Sequence, residues 1–154
     1  MALLQWLQST WLSHAIAKAN HMLVASLQIL HVFGLILLLA PLLLIGLRVL
    51  GWVMRDQPLE GIIGQSRRLS LVGLALSLTS GVLMFLSAPL HYAANWAFDT
   101  KMTILLVALL TYALLYAWSP PQIRTHAVLA RVHIVSAITL WVVVCMAGRA
   151  IGFV

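Results

Sequence analysis

The chain has 154 residues, 63% of them apolar and only 8% charged, with a mean hydropathy of +1.05, whereas roughly a quarter of an ordinary soluble domain is charged. This excludes a disordered tail, a nucleic-acid module and most soluble enzymes, and leaves one integral membrane domain over residues 1–154. The formal charge of +6 signals no polyanionic partner, because the nine Lys and Arg form no block and stand mostly where apolar segments end, as topology signals do.

At the start, Met1 to Ser13 contain no basic head of a secretory signal, and Gln5, Gln8, Ser9 and Thr10 interrupt the apolar run. Leu4, Leu7, Trp11 and Ala15 recur near helical spacing, which predicts an amphipathic helix lying in the interface, with Trp6 and Trp11 at headgroup level. The competing reading is an extension of the first span. Four apolar runs predict spanning helices over 22–50, 69–90, 102–118 and 127–150, each near the roughly 17 to 25 residues that a bilayer requires. The first is longer than one crossing needs and is expected to tilt or to kink at Pro41. Ser119-Pro120-Pro121 stops the third helix, since neither proline continues it, and marks a short turn into the fourth. The fold class is all-α: an up-down four-helix membrane bundle with a short interfacial helix at its start.

Six basic residues, Arg48, Arg55, Arg67, Arg68, Arg124 and Arg131, lie on one side of these spans, against Lys18, Lys101 and Arg149 on the other. The positive-inside rule then puts both termini outside.

Little in the chain carries chemistry. Its three acids, Asp56, Glu60 and Asp99, fall in expected loops with no His or Ser at triad spacing. Cys145 is the single cysteine, so no internal disulfide forms. There remain six histidines, and an ionisable group within lipid is costly unless partnered. Counting inward from Gln28 puts His31 about 4 to 5 Å below the outer boundary, and His91 falls at the outer end of the second helix. Two imidazoles at similar depth on antiparallel helices could hold one b-type haem between them. Gly34, one turn below His31, and Gly81, ahead of His91, could make room for the macrocycle, although small residues also serve plain helix packing. Lys101 and Arg149 stand at the same side to meet the propionates, or else snorkel to the headgroups.

His126 and His133 share a helix about 10 Å apart and cannot grip one iron; His126 reads as a solvated loop residue and His133 as a buried hydrogen-bonding or snorkelling one. His14 and His21 lie at the outer interface, with His21 the reserve ligand. Met22, Met84, Met102 and His21 permit a weaker copper reading, set against ordinary methionine packing.

The stretches Gln28–Gly34 (QILHVFG), Leu47–Gly51 (LRVLG), Asn95–Lys101 (NWAFDTK) and Gly148–Phe153 (GRAIGF) resemble an uncharacterised family of small bacterial four-helix membrane proteins, a domain of unknown function. The resemblance covers nearly the whole chain and implies the four-helix fold in a bacterial inner membrane. It points to His31, Arg48, Asn95, Lys101 and Arg149 as motif positions. That family often carries an acid where Gln28 and Gly46 stand and proline where Trp96 stands, so no acid-dependent proton role is carried over. In architecture alone the chain is similar to cytochrome b561-like and copper-resistance D-like membrane proteins; the stacked histidine pairs of the former are absent.

The expected function is a membrane-embedded b-type cytochrome subunit, with one haem b between His31 and His91, passing electrons between an external redox partner and the quinone pool. Catalysis would belong to the partner. The alternatives are a cofactor-free anchor or assembly subunit that binds other membrane chains, and a copper-handling protein using His21, His31, His91 and methionines.

Overall fold

The structure is a computed structural model that describes residues 2–18, 21–117, 123 and 125–153, the His21 side chain excepted. Among the described residues there are seven α-helices in order, α1 (Ala2–Gln8), α2 (Trp11–Ala17), α3 (His21–Val49), α4 (Leu59–Ser87), α5 (Pro89–Ala93), α6 (Trp96–Ala117) and α7 (Ala127–Ala150), followed by a 3-10 turn over Ile151–Phe153. Four of them are long and apolar enough to cross a membrane: Met22–Val49, Leu59–Ser87, Trp96–Ala117 and Ala127–Phe153. No strand occurs among the described residues.

α3 packs on α4 and α6 on α7, and the two pairs meet through α3 and α7. The core gathers Leu38, Leu42, Ile45, Ala108, Tyr112, Ile134, Trp141 and Val144. The outward faces are apolar too, with Phe33, Ile36, Val72, Leu106, Leu110 and Met146 exposed, which suits a bundle whose surroundings are lipid rather than water.

The closest helix approach follows from one stripe of small residues. Ser66, Ser70, Gly73, Ser77 and Ser80 recur every three or four positions, so they share one face of α4, and all are buried. A Cβ added at Gly73 would lie 2.5 Å from the Leu38 nitrogen, and one at Gly34 would lie 2.7 Å from the Ser77 nitrogen. The two backbones therefore touch, and Ser70 adds a hydroxyl hydrogen bond to the Leu38 carbonyl at 3.2 Å.

Several boundaries differ from the sequence reading. α4 begins at Leu59 rather than 69, with Pro58 at its N-cap and Glu60 in its first turn. Hydropathy marks where a helix meets lipid, whereas Glu60, Gln65, Arg67 and Arg68 favour helix without favouring lipid. α4 then stops at Ser87 instead of continuing to Leu90, because Pro89 drives Ala88 out of the helical region, to φ −155 and ψ 64. α6 starts six residues before the expected 102. α3 runs through Pro41 without ending.

The amphipathic start is two helices, not one. Thr10 breaks the run and caps α2 by accepting from the Ser13 amide at 3.3 Å. Leu4, Leu7 and Thr10 are partly buried and Ser13 and Ile16 buried, while Trp11 and Ala15 are exposed, so the four apolar positions read as one face do not share one. The Ser13 hydroxyl donates to the Leu86 carbonyl at 2.8 Å, which ties α2 to the end of α4.

At that end, here called the Asn95 end, Asn95 Oδ1 accepts from the Ala97 amide at 2.9 Å and Nδ2 donates to the Ile151 carbonyl at 3.4 Å. One buried side chain thus caps α6 and fastens the C-terminal turn. At the opposite, Arg48 end, Nη2 of Arg48 donates to the Arg55 and Gln57 carbonyls at 2.9 and 3.0 Å, bracing the loop that turns at Gly51, φ +79. The expected turn at Ser119-Pro120-Pro121, and Arg124, lie outside the described residues.

Candidate functional site

His31 is half-buried on α3 and faces α4. Its Nδ1 lies 2.8 Å from the Ser77 carbonyl oxygen and 3.1 Å from Ser80 Oγ. A carbonyl only accepts, so Nδ1 carries the proton and Nε2 keeps its lone pair. Ser80 is itself held, donating to the Leu76 carbonyl at 2.7 Å. The ring sits over Gly81, where an added Cβ would come within 3.2 Å of Cε1. Gly81 thus makes room for the imidazole itself.

Lys101, from the first turns of α6, lies along Gly148 of α7, with Nζ 3.3 Å from where a Gly148 Cβ would stand. It is within electrostatic reach of both His31 and Cys145. All four spanning helices therefore converge here: His31 from α3, Ser77 and Ser80 from α4, Lys101 from α6, Cys145 and Gly148 from α7. Lys101 has no ion pair among the described residues. Asp99 is exposed two residues before it, on nearly the opposite face of the helix.

The other expected ligands are placed differently. His91 is exposed on α5, edge-on to Tyr92 at 5.9 Å. From Gly81, which marks the level of His31, α4 runs six more residues, about 9 Å, before the break that leads to α5. The structure does not bring His31 and His91 to one depth: His31 sits level with Gly81, ten positions before His91, and the break at Pro89 puts His91 on a separate short helix. Gly34 offers no slot either, since the Ser77 backbone fills the space beside it. Arg149 is exposed, with its guanidinium carbon 5.3 Å from the Phe153 ring centroid. The side chain of His21 lies outside the described residues. His14 is exposed.

His126 is exposed ahead of α7, and half-buried His133 donates from Nε2 to the Thr111 carbonyl at 2.9 Å, the hydrogen-bonding one of its two expected readings. For copper, Met22 is 74% exposed and Met102 45%. No group of three or more His, Cys, Asp or Glu among the described residues is close enough to hold a metal ion.

Sequence reasoning missed the roles of Ser80 and Cys145 beside His31 and Lys101. The signal for Ser80 was present: it lies on the Ser66, Ser70, Gly73, Ser77 face. Cys145 had none, since a lone cysteine in an apolar run carries no spacing to read.

Comparison with curated proteins and with solved structures finds no match. The profile of a family of unknown function, DUF6644, matches residues 3–154, and the chain belongs to that family.

Proposed function

We propose that this chain is a membrane-embedded subunit that binds one b-type haem through His31 and carries electrons between an external redox partner and the quinone pool. The observation that supports this reading is the anchored imidazole. A metal-ligating histidine characteristically donates its second ring N–H to a carbonyl, which sets the tautomer and the basicity of the free nitrogen, and His31 has that arrangement with Ser77. Lys101 supplies a cation without an acid partner, suited to a propionate. Haem, when bound, supplies one-electron chemistry; the chain's residues orient the ligand nitrogen, offer the counter-charge and keep the surroundings apolar.

The pairing with His91 is not retained, and Arg149, over the Phe153 ring, is not among the propionate partners. His31 is the one nitrogen of this chain that would hold the haem in the proposal. The proposed orientation has both termini on the outer side of a bacterial inner membrane, on the six-to-three basic asymmetry.

One observation favours the cofactor-free anchor instead. The contact of the α3 and α4 backbones at Gly34 and Gly73 closes the gap between those helices. An absorption spectrum of the purified full chain, expressed with ample haem supply, decides between the two. The haem reading expects a reducible Soret band that His31→Ala removes and His91→Ala leaves intact. A spectrum unchanged in His31→Ala overturns it, and absence of haem both alone and with native membrane partners supports the anchor.

A further inference from the structure

The two helix pairs meet through α3 and α7. On the other side of the bundle, in the Arg48 half, α4 and α6 stand apart and leave a groove of about 440 Å³, within the roughly 300 to 1,000 Å³ typical of ligand sites. Leu71 and Leu74 of α4 and Leu109 of α6 wall it, Ala113 and Ala117 are small enough to hollow it, and Arg67 stands at its end. The two tyrosines beside it offer it no hydroxyl: Tyr116 donates to Ser70 Oγ at 3.4 Å, inside the bundle, and the Tyr112 hydroxyl is buried. The groove opens outward, since Leu71 is 45% exposed and Ala113 and Ala117 are exposed. Arg67 is exposed as well, and it has neither an ion pair nor a hydrogen bond among the described residues. An aliphatic channel thus ends at a cation that nothing in the fold answers.

Arg67 stands two residues before Leu69, where the apolar run of α4 begins, and so at the level where a spanning helix meets the headgroups. From there the groove follows both helices for about 10 to 12 Å at 1.5 Å per residue, most of the roughly 15 Å that one leaflet supplies to a hydrocarbon core about 30 Å thick. A guanidinium takes two phosphate oxygens in its planar fork, and the channel below it accepts a chain that carries no polar group. The same end of the bundle holds Arg48, Arg55, Arg68 and Arg131 against two acids, Asp56 and Glu60. The phosphate favoured there is one whose charge is not already answered by an ammonium in its own headgroup. We propose that this groove binds an anionic phospholipid, with its phosphate on Arg67 and one acyl chain along Leu71, Leu74 and Leu109. The site rests on Arg67 and on the shape of the groove, and not on haem binding.

The test uses the full chain in phosphatidylcholine nanodiscs that contain phosphatidylglycerol with a photoreactive diazirine on one acyl chain. Labelling within residues 67–74 and 109–117 should saturate as the probe is raised at fixed total lipid, and unlabelled phosphatidylglycerol should compete for it about tenfold better than phosphatidylethanolamine. Arg67→Gln removes the charge and Ala113→Leu fills the groove while leaving the charge in place; each should weaken labelling about tenfold. Arg131→Gln, which removes a cation at the same end but outside the groove, should label as the unmodified chain does, and so should His31→Ala, which separates this site from haem binding. Labelling that rises in proportion to the probe's share of the bilayer, as in an ordinary lipid annulus, overturns the proposal. So do labelling confined to other segments, equal competition by phosphatidylethanolamine, an equal loss in Arg131→Gln, and unchanged labelling of Arg67→Gln or Ala113→Leu.

Discussion

The Ser77 carbonyl receives the Nδ1 proton of His31 across 2.8 Å, a contact between residues 46 positions apart in the chain. It exists because Gly34 and Gly73 let α3 and α4 approach until their backbones touch. It fixes which nitrogen of the imidazole is free, and that is a property measurable without any cofactor. In the full chain labelled with ¹⁵N-histidine, His31 should show the Nδ1–H tautomer. Gly81→Val, which drives carbon into the space occupied by Cε1 at 3.2 Å, should abolish that signature while the other histidines keep theirs. An Nε2–H signal for His31 in the unmodified chain would refute the arrangement.

The same approach predicts a stability contrast between two glycines of one helix. Gly73→Ala places a methyl 2.5 Å from the Leu38 nitrogen, where only backbone could yield, whereas Gly64 has nothing within 4 Å. Gly73→Ala should destabilise by about 1 to 3 kcal/mol through forced separation of α3 and α4. Gly64→Ala should instead stabilise by roughly 0.5 to 1 kcal/mol through helix propensity. Thermal unfolding in detergent, followed by helical circular dichroism, reads both, and equal effects would mean that Gly73 is not the contact point.

The four spans were legible in the sequence because each long apolar run answers to one bilayer thickness, and a bundle with short connections has few alternatives. What was not legible depended on depth and facing. His91 was assigned to the end of the second helix on hydropathy, but Pro89 acts on the residue before it and moves His91 onto a separate turn. Trp11 and Ala15 were read onto one apolar face with Leu4 and Leu7 by a continuous helical period; the cap at Thr10 restarts that period. Gly81 was seen as room for a macrocycle, and in the structure His31 itself fills the space. Small residues record that something comes close. They do not say what.

Asn95 joins the two helix ends that frame the candidate site. Asn95→Ala loses both the cap on the Ala97 amide and the bond to the Ile151 carbonyl, and should cost about 0.5 to 2 kcal/mol, the usual range for a lost N-cap. Asn95→Asp keeps an acceptor for Ala97 but faces the Ile151 carbonyl with an oxygen in place of a donor. Hydrogen exchange should therefore separate the two functions: Asn95→Ala speeds exchange at the start of α6 and in Ile151–Phe153, while Asn95→Asp speeds it in the C-terminal turn alone. Identical patterns for the two variants would remove the argument for a double role.

Lys101 carries the last prediction, because a cation held among four apolar helices should cost stability unless something answers its charge. Its stem lies against Gly148, so methionine, of similar length, can take the same path without the ammonium. In ligand-free protein, Lys101→Met should stabilise the fold by about 1 to 2 kcal/mol, as other replacements of buried charge by apolar side chains do, and so raise the unfolding temperature. In haem-loaded protein the order should reverse: the variant keeps iron coordination through His31 but releases haem faster, having lost the partner of a propionate. The crossing of the two effects is the signature of a charge kept for a ligand. A lower melting temperature for Lys101→Met in ligand-free protein would show that the ammonium is already answered within the fold, and the site would lose its claim to an anionic partner.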